Sequence, residues 1–245
     1  DQWRWYRRDT GEGKVYYPIA RDRDEASFYS NGLLTRLFAS RLIQMLKGFK
    51  KNFVDIEWLN YTAKDFDHLF LPDLDEGEWK SSIKEFQSQV TDSVIGTAVR
   101  KLPPEIFAIN GNRIIEKLKS RRDNLTKEGI KYYRFLSKKV EVLGSNQKEY
   151  FKISNHGEGL HVKVYERGRN DDTSFVMFDR VFDPSVTKEI RLYGLNDDDY
   201  FEIQEGATSR IKIRLIGGTG NDTFNIKGSV ENLLYDRKSD LNIIL

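Results

Sequence analysis

The chain of 245 residues contains no cysteine, only five prolines and two methionines, and three histidines. Lack of Cys excludes a disulfide framework, a thiolate metal site and a cysteine nucleophile. The compartment stays open, since a periplasmic protein can also do without disulfides. His68, His156 and His161 are scattered, so no Ser-His-Asp arrangement can be argued. No apolar run approaches the roughly 18 residues of a membrane-spanning helix, and no signal-peptide pattern opens the chain. Lys and Arg number 40 against 38 Asp and Glu, a net charge of +2. That balance excludes a dedicated nucleic-acid binder or polybasic membrane module. The start at Asp1, without Met, carries the expectation of a piece processed or excised from a longer protein.

What is present divides into a helical first part and a strand-rich second part. Trp3–Tyr6 and Lys14–Tyr17 read as a β-hairpin around the turn-rich Asp9–Gly13. An acidic knot, Arg21-Asp22-Arg23-Asp24-Glu25, follows. Leu34, Leu37, Phe38, Leu42, Ile43 and Leu46 recur at three- and four-residue steps, the stripe of an amphipathic helix. Phe66–Pro72, rich in Asp and aromatics, reads as a loop. Asp75 and Glu78 form an acidic capping box for a helix carrying Trp79, Ile83, Phe86 and Val90. Thr91 or Asp92 caps a shorter helix ending before Pro103-Pro104. Asn110 is the expected cap of the next, and a final helix carries Ile130, Tyr133, Leu136 and Val140. Beyond Leu143-Gly144-Ser145, alternating segments separated by Gly, Asn and Asp read as strands and turns. The expected domains are 1–143, a helical domain with an N-terminal hairpin, and 144–245, a β-rich repeat domain.

The most specific pattern is an internal repeat. Arg191-Leu192-Tyr193-Gly194 through Phe201-Glu202-Ile203 overlies Arg214-Leu215-Ile216-Gly217 through Phe224-Asn225-Ile226, at an offset of 23 residues without a gap. A fainter third copy spans Leu234-Tyr235-Asp236 and Asp240–Ile243. Strand, acidic Gly-containing turn, strand: this unit predicts a β-solenoid-like stack in which Phe201 meets Phe224 inside. Two similar hairpins of a sandwich are the alternative. Gly217–Asn225 matches the G-G-x-G-x-D-x-U-x nonapeptide of calcium β-rolls. Hard Ca²⁺ takes six to eight oxygens from carboxylates and carbonyls at such turns. Asp198, Asp199, Gly217, Gly218, Asn221 and Asp222 are therefore candidate Ca²⁺ positions, against a plain solvated turn.

Asp22 and Asp24, directly after a strand, are a candidate Mg²⁺ pair; turn formation or pairing with Arg21 and Arg23 is the competing explanation. Trp3-x-Trp5 followed by Tyr17-Pro18-Ile19-Ala20-Arg21-Asp22-Arg23-Asp24-Glu25-Ala26 resembles a segment of CotH-like atypical kinases, in which the Asp pair binds magnesium. Residues 1–140, with Leu74–Trp79, Leu102–Ile106 and Leu118–Leu125, also resemble their helical lobe. The whole chain is similar to the central region of Bacteroidota-type envelope proteins. Those proteins join a metallophosphoesterase domain to a BamA/TamA-like outer-membrane barrel. Ile114–Asp123 and Val176–Phe182 carry that likeness. No D-x-H, G-N-H or G-H-x-H phosphoesterase signature occurs, nor a Gly-rich nucleotide loop before Asp22.

Between Arg100 and Lys139 stand 12 basic residues and four acids. They could meet anionic lipid headgroups or simply form the wet face of amphipathic helices. The expected fold class is α+β: an N-terminal β-hairpin, a helical bundle, then a β-solenoid-like or sandwich domain. By resemblance, the expected role is a non-catalytic connector at the periplasmic face of the outer membrane, positioning neighbouring domains of its parent chain. A degenerate or truncated Mg²⁺-dependent phosphotransferase lobe is the alternative.

Overall fold

A computed structural model describes residues 3–10, 13–21, 32, 48–53, 55–168, 173, 175–237 and 241–245. The helical stripe expected over Leu34–Leu46 and the pair Asp22 and Asp24 lie outside the described residues. The chain is mixed α+β and divides into two units, Asp1–Ala63 with Ile83–Glu128, and Lys64–Ser82 with Gly129–Leu245.

In the first unit, β1 (Trp3–Thr10) pairs antiparallel with β2 (Gly13–Ala20), from Trp3↔Ala20 to Thr10↔Gly13. The strands run further into the expected turn than the aromatic alternation indicated. The ladder continues through Asp9↔Lys14 to Thr10↔Gly13. Helix α1 (Ile56–Leu59) starts at Asp55, whose carboxylate accepts the Trp58 N–H at 3.1 Å. Thr91 caps α4 (Asp92–Val99), its hydroxyl accepting from the Val94 N–H. Helix α5 (Pro104–Ile106) begins with proline at its first position, where the missing N–H leaves no gap.

The expected start at Asn110 is corrected. Phe107–Gly111 form a π-helical turn that runs directly into α6 (Asn112–Leu136), and the Asn110 side chain accepts from Arg113 instead of capping. The Phe107 ring lies where a Cβ on residue 111 would stand, 2.6 Å from Cε2, so only glycine lets the widened turn close. The separate final helix is corrected too: α6 is one helix of 25 residues. Asn124 does not break it because its side chain bonds back to the Ser120 carbonyl at 2.8 Å.

The second unit contains α2 (Lys64–Phe70), where a loop was expected. Asp65 and Asp67 sit in its first turn, where carboxylates complement the exposed N–H groups. The capping box opens α3 (Glu76–Gln89) reciprocally: Glu78 N–H donates to Asp75 at 2.8 Å and Asp75 N–H to Glu78 at 2.8 Å. Trp79, half-buried, packs on Tyr132 and Tyr133 with ring centroids at 6.3 and 5.8 Å.

Among the described residues ten strands follow: β3 (Lys139–Leu143), β4 (Glu149–His156), β5 (Gly159–Glu166), β6 (Val176–Phe182), β7 (Glu189–Asn196), β8 (Tyr200–Ile203), β9 (Lys212–Thr219), β10 (Thr223–Ile226), β11 (Asn232–Tyr235) and β12 (Ile243–Ile244). Val140, expected at a helix end, lies in β3. One sheet has the order β11-β9-β7-β3, entirely parallel. The other has the order β12-β10-β8-β4-β5-β6, parallel except for the antiparallel β4-β5-β6 meander. Successive passes alternate between sheets: β3 then β4, β7 then β8, β9 then β10, β11 then β12. Val142, Leu192 and Leu215 from one sheet and Phe151, Phe201 and Phe224 from the other share one buried core. Strict alternation, as in the burial of β7 and β9, turns every second side chain inward.

Candidate functional site

The first sheet-to-sheet crossings of the four passes carry the acidic turns. Pairing Tyr193↔Ile216 and Ile216↔Tyr235 brings Gly194, Gly217 and Asp236 into one column, continued by Gly144 through Leu143↔Tyr193. Five residues after each glycine stands an acid: Glu149, Asp199 and Asp222. These three form a second column. Each uses its backbone N–H to bond the next pass: Glu149 N–H to Asp199 Oδ1 at 2.8 Å, Asp199 N–H to Asp222 Oδ1 at 2.7 Å, and Asp222 N–H to Asn242 Oδ1 at 2.9 Å. A short acceptor is required there because the turn leaves those amides without a strand partner.

The second carboxylate oxygens point inward. Asp199 and Asp222 are 1% and 0% exposed, and the Oδ2 atoms of Asp199, Asp222 and Asp236 are buried without a hydrogen-bond partner. They occupy the space over the column glycines. A Cβ on Gly194 would collide with Asp199 Oδ2 and stand 2.6 Å from the Gly217 carbonyl oxygen. On Gly217 it would collide with the Oδ2 atoms of both Asp222 and Asp236; on Gly144, with Glu149 Oε2 at 2.5 Å and Gly194 O at 2.8 Å. Carboxylate and carbonyl oxygens thus converge along the inner edge of the turns. Burial pushes Asp199 up to about 8, only partly offset by the Glu149 N–H, with Glu149 and Asp222 adding like charge. Burial likewise pushes Asp222 up to about 6, with Asp236 and Asp198 beside it, and raises Glu149.

The outer edge differs. Asp198 accepts the Asn221 N–H at 2.9 Å and the Lys148 ammonium at 2.9 Å, and those two contacts hold its carboxyl below the ordinary range. Asn221 Oδ1 in turn accepts the Leu241 N–H at 3.0 Å. Of the candidate Ca²⁺ positions, then, Asp199 and Asp222 face inward beside Gly217, whereas Asp198 and Asn221 face the outer edge. Gly218 serves the chain's own geometry: its φ is 112°, and a Cβ there would meet the Leu195 carbonyl carbon at 2.9 Å. Among the described residues, no three His, Asp or Glu side chains gather into a metal-holding group.

Reading from the sequence missed Glu149, Gly144 and Asp236. The signal was present: Glu149-Tyr150-Phe151-Lys152-Ile153 carries the same pattern as Asp199-Tyr200-Phe201-Glu202-Ile203. The β5-β6 meander, inserted between the passes, stretches the spacing from 23 to 50 residues and hides it. Elsewhere, His161 Nε2 lies 2.6 Å from Asp179, which Lys163 also contacts at 2.9 Å, and these partners lower the Asp179 pKa. His156 and His161 stand 6.0 Å apart between ring centroids.

Several of the basic residues of 100–139 are engaged within the first unit. Arg122 donates to the Val90 carbonyl and Asp92, Lys119 pairs with Asp92, and the Arg121 guanidinium lies 4.3 Å over Phe49. No helix among the described residues is long and apolar enough to cross a membrane. In comparisons with known proteins, the chain matches no family model, no curated protein and no solved structure. The CotH-like and envelope-protein resemblances rest on the sequence phrases that carry them.

Proposed function

We propose that the β-rich part is a solenoid-like stack acting as a non-catalytic spacer, in a connector segment of a bacterial cell-envelope protein. The observation that carries this reading is the aromatic column Phe151–Phe201–Phe224. Its rings stack at 4.5 and 5.1 Å with interplanar angles of 13° and 8°. Parallel pairing repeats on both sheets at one register, as a stack of like units does and a pair of unrelated hairpins need not. Such a stack is stiff because each pass is held by neighbours above and below. A stiff spacer suits a role of positioning neighbouring domains beside an outer-membrane barrel, at its periplasmic face. The basic helical stretch is the surface that would lie toward anionic lipid headgroups.

Fractionation of cells making the parent protein tests the location: recovery with outer membranes is expected, and recovery with the cytosol overturns it. Thermal melts with ATP and Mg²⁺ test the rival phosphotransferase reading. The spacer reading expects no shift. A shift that disappears in Asp22→Asn or Asp24→Asn would establish the rival instead.

A further inference from the structure

Three inward carboxylate oxygens, on Asp199, Asp222 and Asp236, have neither solvent nor a hydrogen-bond donor. Oxygens facing oxygens in a buried place repel unless something positive lies between them. Around Gly194 the neighbours are Asp199 Oδ2 and the Gly217 carbonyl, and around Gly217 they are Asp222 Oδ2 and Asp236 Oδ2; Glu149, beside Gly144, is set apart because its oxygens accept from the Ser145 N–H and hydroxyl. Every neighbour in this set is an acceptor. No lysine or arginine side chain is bonded to Asp199, Asp222 or Asp236 among the contacts described. Lys148, the nearest basic partner of the turns, is committed to Asp198 at the outer edge.

We propose that the inner oxygens of Asp199 and Asp222, two carboxylates on neighbouring passes, bind a hard divalent cation, Ca²⁺, together with the Gly217 carbonyl. The donor set fits the ion: all oxygen, two carboxylates and a carbonyl, with water to complete the shell, on turns with adjustable spacing. Mg²⁺ fits less well, because it demands a tight octahedron and gives up its water reluctantly. The ion would neutralise the inward oxygens and cross-link consecutive passes of the stack. The site is the inner edge, centred on Asp199 and Asp222, and excludes Asp198, whose oxygens are already used. Nothing in this inference depends on the chain being an envelope connector.

Calorimetric titration of CaCl₂ into the whole chain, stripped with EGTA and dialysed at pH 7.5, tests the proposal. Saturable binding is expected, weakened about tenfold or more in Asp199→Asn and Asp222→Asn and unchanged in Asp198→Asn. Asn keeps the oxygen that accepts the neighbouring N–H and removes only the charge, so these variants retain the turn. Terbium emission from the unaltered chain gives a second measurement that needs no variant. Tyr200, adjacent to Asp199, should sensitise a bound Tb³⁺, and Ca²⁺ should displace it. A folded chain showing neither heat nor Ca²⁺-displaceable emission overturns the proposal and leaves protons on the column carboxyls. Binding that survives both inner substitutions but is lost in Asp198→Asn overturns it in favour of the outer turn.

Discussion

The two best copies of the repeat fold alike but solve their turns differently. In the second copy, Gly218 and Gly220 take φ of 112° and 136°. In the first, Leu195 and Asp197 hold φ of 81° and 74° at the matching positions. A side chain in left-handed backbone is strained by about 1–2 kcal/mol. The first copy tolerates this because its turn is held from both sides, by Asn146 and Lys148 on one and by Thr219 and Asn221 on the other. The column glycines behave oppositely. Gly194 and Gly217 are retained in both copies, and neither is there for left-handed backbone; each leaves space for a buried carboxylate. Glycine is thus dispensable where backbone strain can be absorbed, and indispensable where another atom already occupies the Cβ position.

The largest test removes the ring common to both copies. Phe201→Ala is expected to destabilise the chain by about 4–5 kcal/mol, since Phe201 stacks on rings at both faces, and Phe224→Ala by about 3 kcal/mol. Urea melts followed by circular dichroism would measure both; equal losses would mean that the aromatic column does not distinguish inner from outer passes. Next, Gly194→Ala and Gly217→Ala should each lose about 3 kcal/mol by overpacking, whereas Gly157→Ala, whose Cβ would meet nothing within 4 Å but whose φ is 58°, should lose only about 1 kcal/mol.

The raised carboxyls give a pH test. Asp199, pushed up to about 8, binds a proton more readily folded than unfolded. Its contribution is therefore fully present below the unfolded value near 4 and disappears as pH rises through about 8. Asp222 adds the same sign, its share being present below about 4 and lost as pH rises through about 6. In EGTA, the melting temperature should fall by roughly 5–10 °C between pH 5 and pH 8.5, and Asp199→Asn should flatten that slope. A rise over that interval would contradict the inward placement of these carboxyls. The smallest effect tests the strained turn itself. Leu195→Gly should stabilise by up to about 1 kcal/mol, because Leu195 is substantially exposed and loses little packing. Destabilisation there would mean that the copies differ by more than backbone strain.

Much of the α+β arrangement was legible locally. The hairpin, the Asp75–Glu78 box and the Thr91 cap follow from short patterns whose hydrogen bonds close within a few residues. Phe66–Pro72 misled because aromatic and acidic residues at a helix start look like a loop until Tyr132 O–H is seen donating to Asp67 at 2.6 Å. Asn110 misled because a good cap residue was taken up by a π turn. In the turn site, the motif pointed to Asp199 and Asp222 but could not tell them from Asp198, since adjacent residues differ only in the edge they face.

The sequence by itself determined the repeat: a gapless 23-residue offset between matching copies, and the glycine-to-acid spacing within each. Those are properties of neighbours along the chain. Tertiary structure decided that a further copy, Gly144 through Ile153, joins the same two sheets from 50 residues away. It also decided which carboxylate oxygens lose their water. Burial and convergence are properties of parallel pairing between distant segments, and no local pattern encodes the distance across which two acids will meet.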